Sequence, residues 1–245
     1  MAHLIKTDAI VLSKLNYGDT SKIAHLYTEE VGKLPVIIKG ARGTKSKIGM
    51  IVDPLNSIQV VLHTKETREI QLLTQADLLL SPANIKEDLE RIKYASAAAE
   101  LVYSLIPEHE PNPRLFNGLK KIIGHFNDTG LDPKVMFIRF FLFFIKEIGF
   151  EFRFSECNDC GRDLKTGELV YFSLQKGILC SDCRENHILF MDFSQELLQN
   201  LICLSSKNND IPADIKSLDK VIVFLEKYLS SHIPEFRGIK SLHTY

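Results

Sequence analysis

LPVIIKGARGTKSKIGMIVDPLNSIQVVL, residues 34–62, carries the decision about the fold. Leu34, Val36 and Ile38 alternate with Pro35 and Ile37, and Ile58, Val60 and Leu62 alternate again further on. That two-residue period belongs to strands with one buried face. Between the two runs lie the basic stretch KGARGTKSK, residues 39–47, and the turn signal Asp53-Pro54-Leu55-Asn56. Upstream, Ile10 and Leu12 alternate with Val11 and Ser13, and downstream Ile70 and Leu72 continue the style. Turn residues at 16–19 and 29–33 separate these segments.

Five or so short strands within roughly eighty residues fit a small closed or nearly closed barrel better than an open sheet, because closure removes exposed edges. The expected fold class is therefore α+β and multidomain, with an N-terminal OB-fold β-barrel over residues 1–80. The basic stretch sits in that barrel as a loop. Lys39, Arg42, Lys45 and Lys47 stand there without an acid, in a chain whose formal net charge is only −1. Such a run is either solvated surface or a strip that meets phosphates. Tyr17 and Tyr27 either stack on bases or pack in the core.

After Ser81-Pro82-Ala83-Asn84 the period lengthens to that of a helix. Ile85, Leu89, Ile92, Ser96, Ala99, Tyr103 and Ile106 fall on one face of a single long helix. Asn112 is a cap with Pro113 at the first position of a second helix, whose stripe is Leu115, Leu119, Ile122 and Phe126. Asp132-Pro133 starts a third, aromatic-rich helix that stops near Gly149. That helix carries Arg139, Lys146 and Glu147 and is read as buried in the protein rather than in a bilayer. Two amphipathic stretches follow, through Leu197, Leu201 and Leu204, and through Leu218, Val221, Ile222, Leu225 and Leu229. Residues 81–245 are thus expected to form a helical domain.

Inserted in it are two C-x-x-C pairs, Cys157/Cys160 and Cys180/Cys183, within a knuckle spanning 155–187. Each pair turns two thiolates towards one point, and two pairs complete a tetrahedron about 2.3 Å from zinc. Gly161 suits the tight knuckle. The stretch ELVYFSLQKGIL between the pairs reads as a hairpin turning at Lys176-Gly177. A redox dithiol, an iron centre and plain packing are the alternatives; the spacing favours zinc. Four thiolates leave no open position, so such a site is structural. His187 is near enough to substitute as a ligand but is not needed and reads rather as a surface or core histidine, while Cys203 reads as a buried free thiol on an apolar helix face. Cysteines used this way, in a chain read as having no secretory signal, point to a reducing compartment.

With these parts in order, the chain resembles the RecO proteins of bacterial recombinational repair. The resemblance rests on several stretches in sequence. They are Tyr17–Gly32, Lys39-Gly-Ala-Arg42 with Lys45, Ser46 and Lys47, Asp53-Pro54, Cys157-x-x-Cys160-Gly161, Gly177-Ile-Leu-Cys180-x-x-Cys183 and Ile239-Lys-Ser-Leu242. It implies an OB-fold barrel followed by a helical domain with a structural zinc knuckle. It also implies a protein that binds single- and double-stranded DNA, anneals complementary strands, and acts with RecR to load RecA onto DNA coated by single-strand binding protein. A cytoplasmic, nucleoid-associated location without a membrane goes with that role.

Arg139 lies among Phe137, Phe140, Phe141, Phe143 and Phe144. Its side chain either packs along the core or, beside an apolar groove formed by Phe140 and Phe143, grips a peptide carboxylate. The resemblance makes the acidic, phenylalanine-ended tail of single-strand binding protein the expected ligand, with Lys120 and Lys121 adding attraction for its acids. Two other classes remain as alternatives. A nucleic-acid-processing enzyme needs a phosphate loop or a carboxylate cluster for metal, and the chain lacks GxxxxGK[ST], HExxH and D-x-D. A protein-interaction scaffold would keep a vestigial barrel. The expectation is a mediator rather than an enzyme.

Overall fold

The computed structural model describes residues 2–164, 167–186, 188, 193–206 and 217–244. His187, and with it the end of the expected knuckle, lies outside them. The chain divides into two compact units, Met1–Pro133 with Ile239–Tyr245, and Lys134–Gly238.

Five strands open the first unit: β1 (Ala2–Tyr17), β2 (Ser21–Thr28), β3 (Gly32–Ile38), β4 (Ser57–Lys65) and β5 (Gln71–Leu80). They are hydrogen-bonded in the order β1-β2-β3-β5-β4, and β4 returns to β1, so the sheet rolls into a barrel of OB type. The seam is thin: β3 meets β5 in parallel only at Val36↔Gln71 and Ile37↔Leu72. Two of the alternations read in the sequence fill the interior, Leu34, Val36 and Ile38 and then Ile58, Val60 and Leu62, joined there by Val11, Ala24 and Leu26. In β1 and β5 the core takes the other phase, Val11 rather than Ile10 and Leu12, and Leu73 rather than Ile70 and Leu72. A bulge between Val11 and Ser13 shifts the β1–β2 register.

The outward face of β2 is Ser21, Ile23, His25 and Tyr27. Helices cover part of it. Tyr27 lies 6.1 Å from the Phe116 ring and donates to the Asn112 carbonyl. His25 meets Tyr103 edge-on at 4.9 Å.

The helix expected from 85 to 106 is two helices, α2 (Ala83–Glu87) and α3 (Leu89–Leu105), after the short α1 (Lys47–Ile51). Asp88 breaks the run in an extended conformation and caps α3 by accepting from the amides of Glu90 and Arg91. The break turns the buried face to Arg91, Tyr94, Ala95, Ala98, Leu101 and Val102, leaving Leu89 74% exposed and Tyr103 39% exposed. α4 (Pro113–Asn127) starts at Asn112 as read, its side chain accepting from Leu115 N, and Leu115, Leu119, Ile122 and Phe126 are buried.

Buried Arg91 holds the exit of α4 with four bonds, Nη1 to the carbonyls of Phe126 and Asp128 and Nη2 to those of Thr129 and Leu131. The chain's closing segment belongs to this unit too. The Glu100 carboxylate accepts from Lys240 N, Ser241 N and Ser241 Oγ, and Ile239 and Leu242 are buried.

The second unit holds α5 (Pro133–Glu147), the hairpin β6 (Val170–Ser173) and β7 (Gly177–Cys180), α6 (Gln195–Ser205) and α7 (Leu218–His232). Its core is aromatic: Phe172 meets Phe224 at 5.0 Å and Phe152 meets Tyr228 at 4.3 Å. The leucine stripes of α6 and α7 are buried as read. Cys203 is half-buried on α6 rather than buried. No helix among the described residues is long and apolar enough to cross a membrane.

Candidate nucleic-acid interface and metal centre

The basic stretch between β3 and α1 is an ordered turn built around one buried methyl group. Ala41 is 3% exposed and packs into the barrel core, so its neighbours are thrown outward, and Lys39, Arg42, Lys45 and Lys47 are all exposed. Gly40 supplies the turn with φ +68. Gly43 N then bonds Gly40 O, and Ser46 N bonds Gly43 O at 2.9 Å. Ser46 caps α1, its hydroxyl accepting from Gly49 N at 3.2 Å.

The loop is also tied to the β1–β2 hairpin. Arg42 N donates to Thr20 O at 3.0 Å and Arg42 Nη1 to Gly18 O. Cations that protrude from a fixed backbone, with no acid among them, can meet a polyanion without first paying the entropy of ordering. The hairpin adds a residue the sequence reading missed. Lys22 pairs across the sheet with Ile38, immediately before Lys39, and its Nζ reaches Gly49 O at 3.4 Å. Only the strand register shows that neighbourhood. Lys14 and Lys86 flank Asp53 and both form ion pairs with it.

The two tyrosines separate. Tyr27 is fully buried, so it packs in the core and cannot stack on a base, whereas Tyr17 is 52% exposed. Lys120, read as attraction for an acidic tail, instead pairs with Asp8 at 3.1 Å and lies over the Phe116 ring. On α5, Phe137, Phe141 and Phe144 are fully buried and Phe140 is 3% exposed, while Arg139 and Phe143 are half-buried.

In the second unit the four cysteines converge. The sulfurs of Cys157, Cys160, Cys180 and Cys183 all lie within 4.8 Å of one another. A tetrahedral ion with sulfurs at about 2.3 Å sets them roughly 3.8 Å apart, and Cys160 Sγ is 3.9 Å from Cys180 Sγ. The donor set therefore fits a thiolate-binding metal.

The knuckle that presents them is tightly bonded. Cys157 N donates to Arg162 O, Gly161 N to Cys157 O, Asn158 N to Ile178 O, and Cys180 N to Cys157 Sγ at 3.4 Å. Gly161 takes φ +73, as its place after the first pair requires. The hairpin pairs Ser173 with Gly177, so it turns over residues 174–176, with Gly177 at φ +84 opening β7. Sulfurs this close share charge unevenly. A hydrogen bond from Arg162, aided by the amides of Cys183 and Asp182, holds Cys180 down to about 6, whereas burial and the neighbouring thiols push Cys183 well up.

Comparison with known proteins matches both parts of the chain. Residues 1–82 match the family model "Recombination protein O N terminal" and residues 86–243 the model "Recombination protein O C terminal". DNA repair protein RecO of Pelodictyon phaeoclathratiforme is 29% identical over 251 residues, covering 98% of this chain and 96% of that protein. DNA repair protein RecO of Chlorobaculum parvum is 38% identical over 162 residues, covering 66% and 62%. That of Thermoanaerobacter sp. is 31% identical over 182 residues, covering 74% and 71%. With family models matched on both parts, and an OB barrel and a four-cysteine knuckle standing where they fall, the chain belongs to the RecO family.

Proposed function

We propose that this chain is a DNA-binding recombination mediator whose barrel, residues 1–80, presents Lys39, Arg42, Lys45 and Lys47 to the phosphates of single- and double-stranded DNA. Membership of the RecO family carries a role in DNA repair and recombination. The observation behind the finer reading is the basic loop itself: four outward cations on a backbone pinned by Ala41, the Ser46 cap and the hairpin carbonyls. Phosphate contacts of this kind are independent of base sequence, so the face can hold two complementary strands close together and let them anneal.

In this proposal residues 81–245 are the helical domain, with the knuckle at 155–187 holding a structural zinc through Cys157, Cys160, Cys180 and Cys183. Zinc supplies a tetrahedral anchor with no open position and takes no part in chemistry. Arg139, with Phe140 and Phe143, receives the carboxylate-ended tail of single-strand binding protein. RecR acts beside the chain and RecA follows indirectly, in the cytoplasm at the nucleoid.

A nuclease would need carboxylates gathered round a metal. Among the described residues the one group of three or more His, Cys, Asp or Glu side chains placed to share a metal is the four-cysteine cluster.

The deciding experiment is a salt titration of DNA binding with Arg42→Ala/Lys45→Ala, run with and without magnesium. Each lost phosphate contact lowers the slope of log K against log salt by about 0.7–0.9. An unchanged slope removes the loop from the interface. Absence of salt-dependent binding in the wild type favours the scaffold, and cleavage with magnesium favours the enzyme.

A further inference from the structure

We propose that Tyr17 is a base-stacking residue that makes the basic face prefer single-stranded DNA over duplex; this rests on the DNA-binding reading above. The register sets the stage. Tyr17 pairs with Ser21 and Leu15 with Ile23, so both lie on the outward face of the barrel that also carries His25 and Tyr27.

Helices cover that face from one end. Tyr27 is under Phe116, His25 is against Tyr103, and Ile23 is 7% exposed. Beyond Ile23 the cover stops, leaving Leu15 48% and Tyr17 52% exposed. Tyr17 and Leu15, two residues apart on one strand, together form a small apolar surface at the uncovered end of this face.

Its surroundings say which partner. Gly18, the residue after Tyr17, gives its carbonyl to the Arg42 guanidinium, and Thr20 gives its own to Arg42 N at 3.0 Å. The ring and the phosphate-seeking cation are therefore parts of one rigid hairpin-and-loop assembly. Lys39 leaves β3 directly after Ile38, the residue paired with Lys22, so it continues the face of Ser21 and Tyr17, whereas Lys22 itself, opposite Asn16, lies on the other face. An apolar platform with Arg42 and Lys39 beside it complements a chain of alternating flat rings and negative charges. That is single-stranded nucleic acid. In a duplex the rings are stacked on one another and unavailable to Tyr17, although the phosphates remain available to the cations.

The test uses the full chain, with fluorescence anisotropy of a labelled oligo-dT and of a duplex of equal length, for wild type, Tyr17→Ala, Tyr17→Phe and Arg42→Ala. Tyr17→Ala is expected to weaken single-strand binding about five- to twentyfold, the lower part of the range for one stacked base. It should leave duplex affinity, salt slope and melting temperature as they are. Tyr17→Phe should keep single-strand affinity, and Arg42→Ala should weaken both substrates and flatten the slope. Equal loss on both substrates from Tyr17→Ala, or no loss on oligo-dT, overturns the proposal. If the wild type shows no salt-dependent affinity for either substrate, the DNA-binding reading falls first and the stacking proposal falls with it.

Discussion

Gly49 of α1 lies so close to Ala41 that a Cβ on it would stand 2.1 Å from the Ala41 carbonyl oxygen. The helix after the basic loop is thus pressed against the residue that anchors that loop. Gly49→Ala must push α1 away from Ala41, at a cost of about 1–3 kcal/mol typical of overpacking, and should weaken DNA binding by loosening the loop. Gly124 supplies the contrast, since it is exposed in α4 with nothing within 4 Å of a Cβ. Gly124→Ala should stabilise by about 0.5–1 kcal/mol through helix propensity. Denaturant titration of both variants checks the opposite signs.

Arg91 → Lys is expected to be severe although it keeps the charge. The guanidinium serves four carbonyls at 2.7–3.1 Å from a position 7% exposed, and an ammonium cannot reproduce that planar fork. Carbonyls left unpaired at the exit of α4 should lower stability by about 2–4 kcal/mol. A midpoint shift below about 1 kcal/mol would show that water or the lysine replaces the clamp.

Arg91 also marks where sequence reading stopped. The strands, the Asn112-Pro113 start and the paired cysteines were legible because each depends on residues close in sequence. The break at Asp88 was not. An aspartate among Lys86, Glu87 and Glu90 looks like an ordinary solvated helix residue, and only its bonds to two backbone amides show it as a cap. That break rotated the buried face, so a charged residue, Arg91, went inside and Leu89 stayed out. The tyrosines show a second limit. Alternation tells which face of a strand a residue occupies, yet not whether a helix from elsewhere covers it. Tyr27 and Tyr17 share a face, and only one lies beneath α4.

His25 should make stability depend on pH in a defined direction. Burial holds its imidazole below the ordinary value of 6.5, with Lys33 adding to the effect and Glu108 opposing it. Its Nδ1 contacts Ser13 Oγ at 3.1 Å and its ring meets Tyr103. The unfolded chain therefore takes up a proton before the folded one does. The contribution of His25 is fully present above the unfolded value and is lost as pH falls from there through the lower folded value. Chemical denaturation of wild type and His25→Gln at pH 7.5 and 5.5 should show a smaller fall for the variant. An identical fall would place the folded value of His25 at that of the unfolded chain.

On the proposed role of Arg139, Arg139→Ala is expected to weaken binding of a peptide with the acidic, phenylalanine-ended tail about tenfold or more, the size of a charge-assisted bidentate contact to a carboxylate. Bare-DNA affinity should hold. Phe140 is buried and Phe143 half-buried, so Phe143→Ala should reduce peptide affinity with less effect on stability than Phe140→Ala. Equal peptide affinity in calorimetry for wild type and Arg139→Ala would leave the arginine a structural role.

The cysteine cluster gives the last expectation. Cys157 and Cys180 are fully buried and form the small core of the knuckle with Leu179, while Cys160 and Cys183 close the set from the exposed side. With so little apolar core, a bond network joining two hairpins must supply much of the local stability, and metal binding couples to folding in such modules. Elemental analysis of freshly purified protein should find about one zinc per chain. Cys160→Ser should release it and lower the melting temperature while salt-dependent DNA binding at the barrel persists. Cys203→Ser, on α6 outside the cluster, should leave the metal content unchanged. Metal-free protein that melts unchanged after chelation would make the cluster a set of packed thiols, and zinc retained by Cys160→Ser would exclude that residue as a ligand.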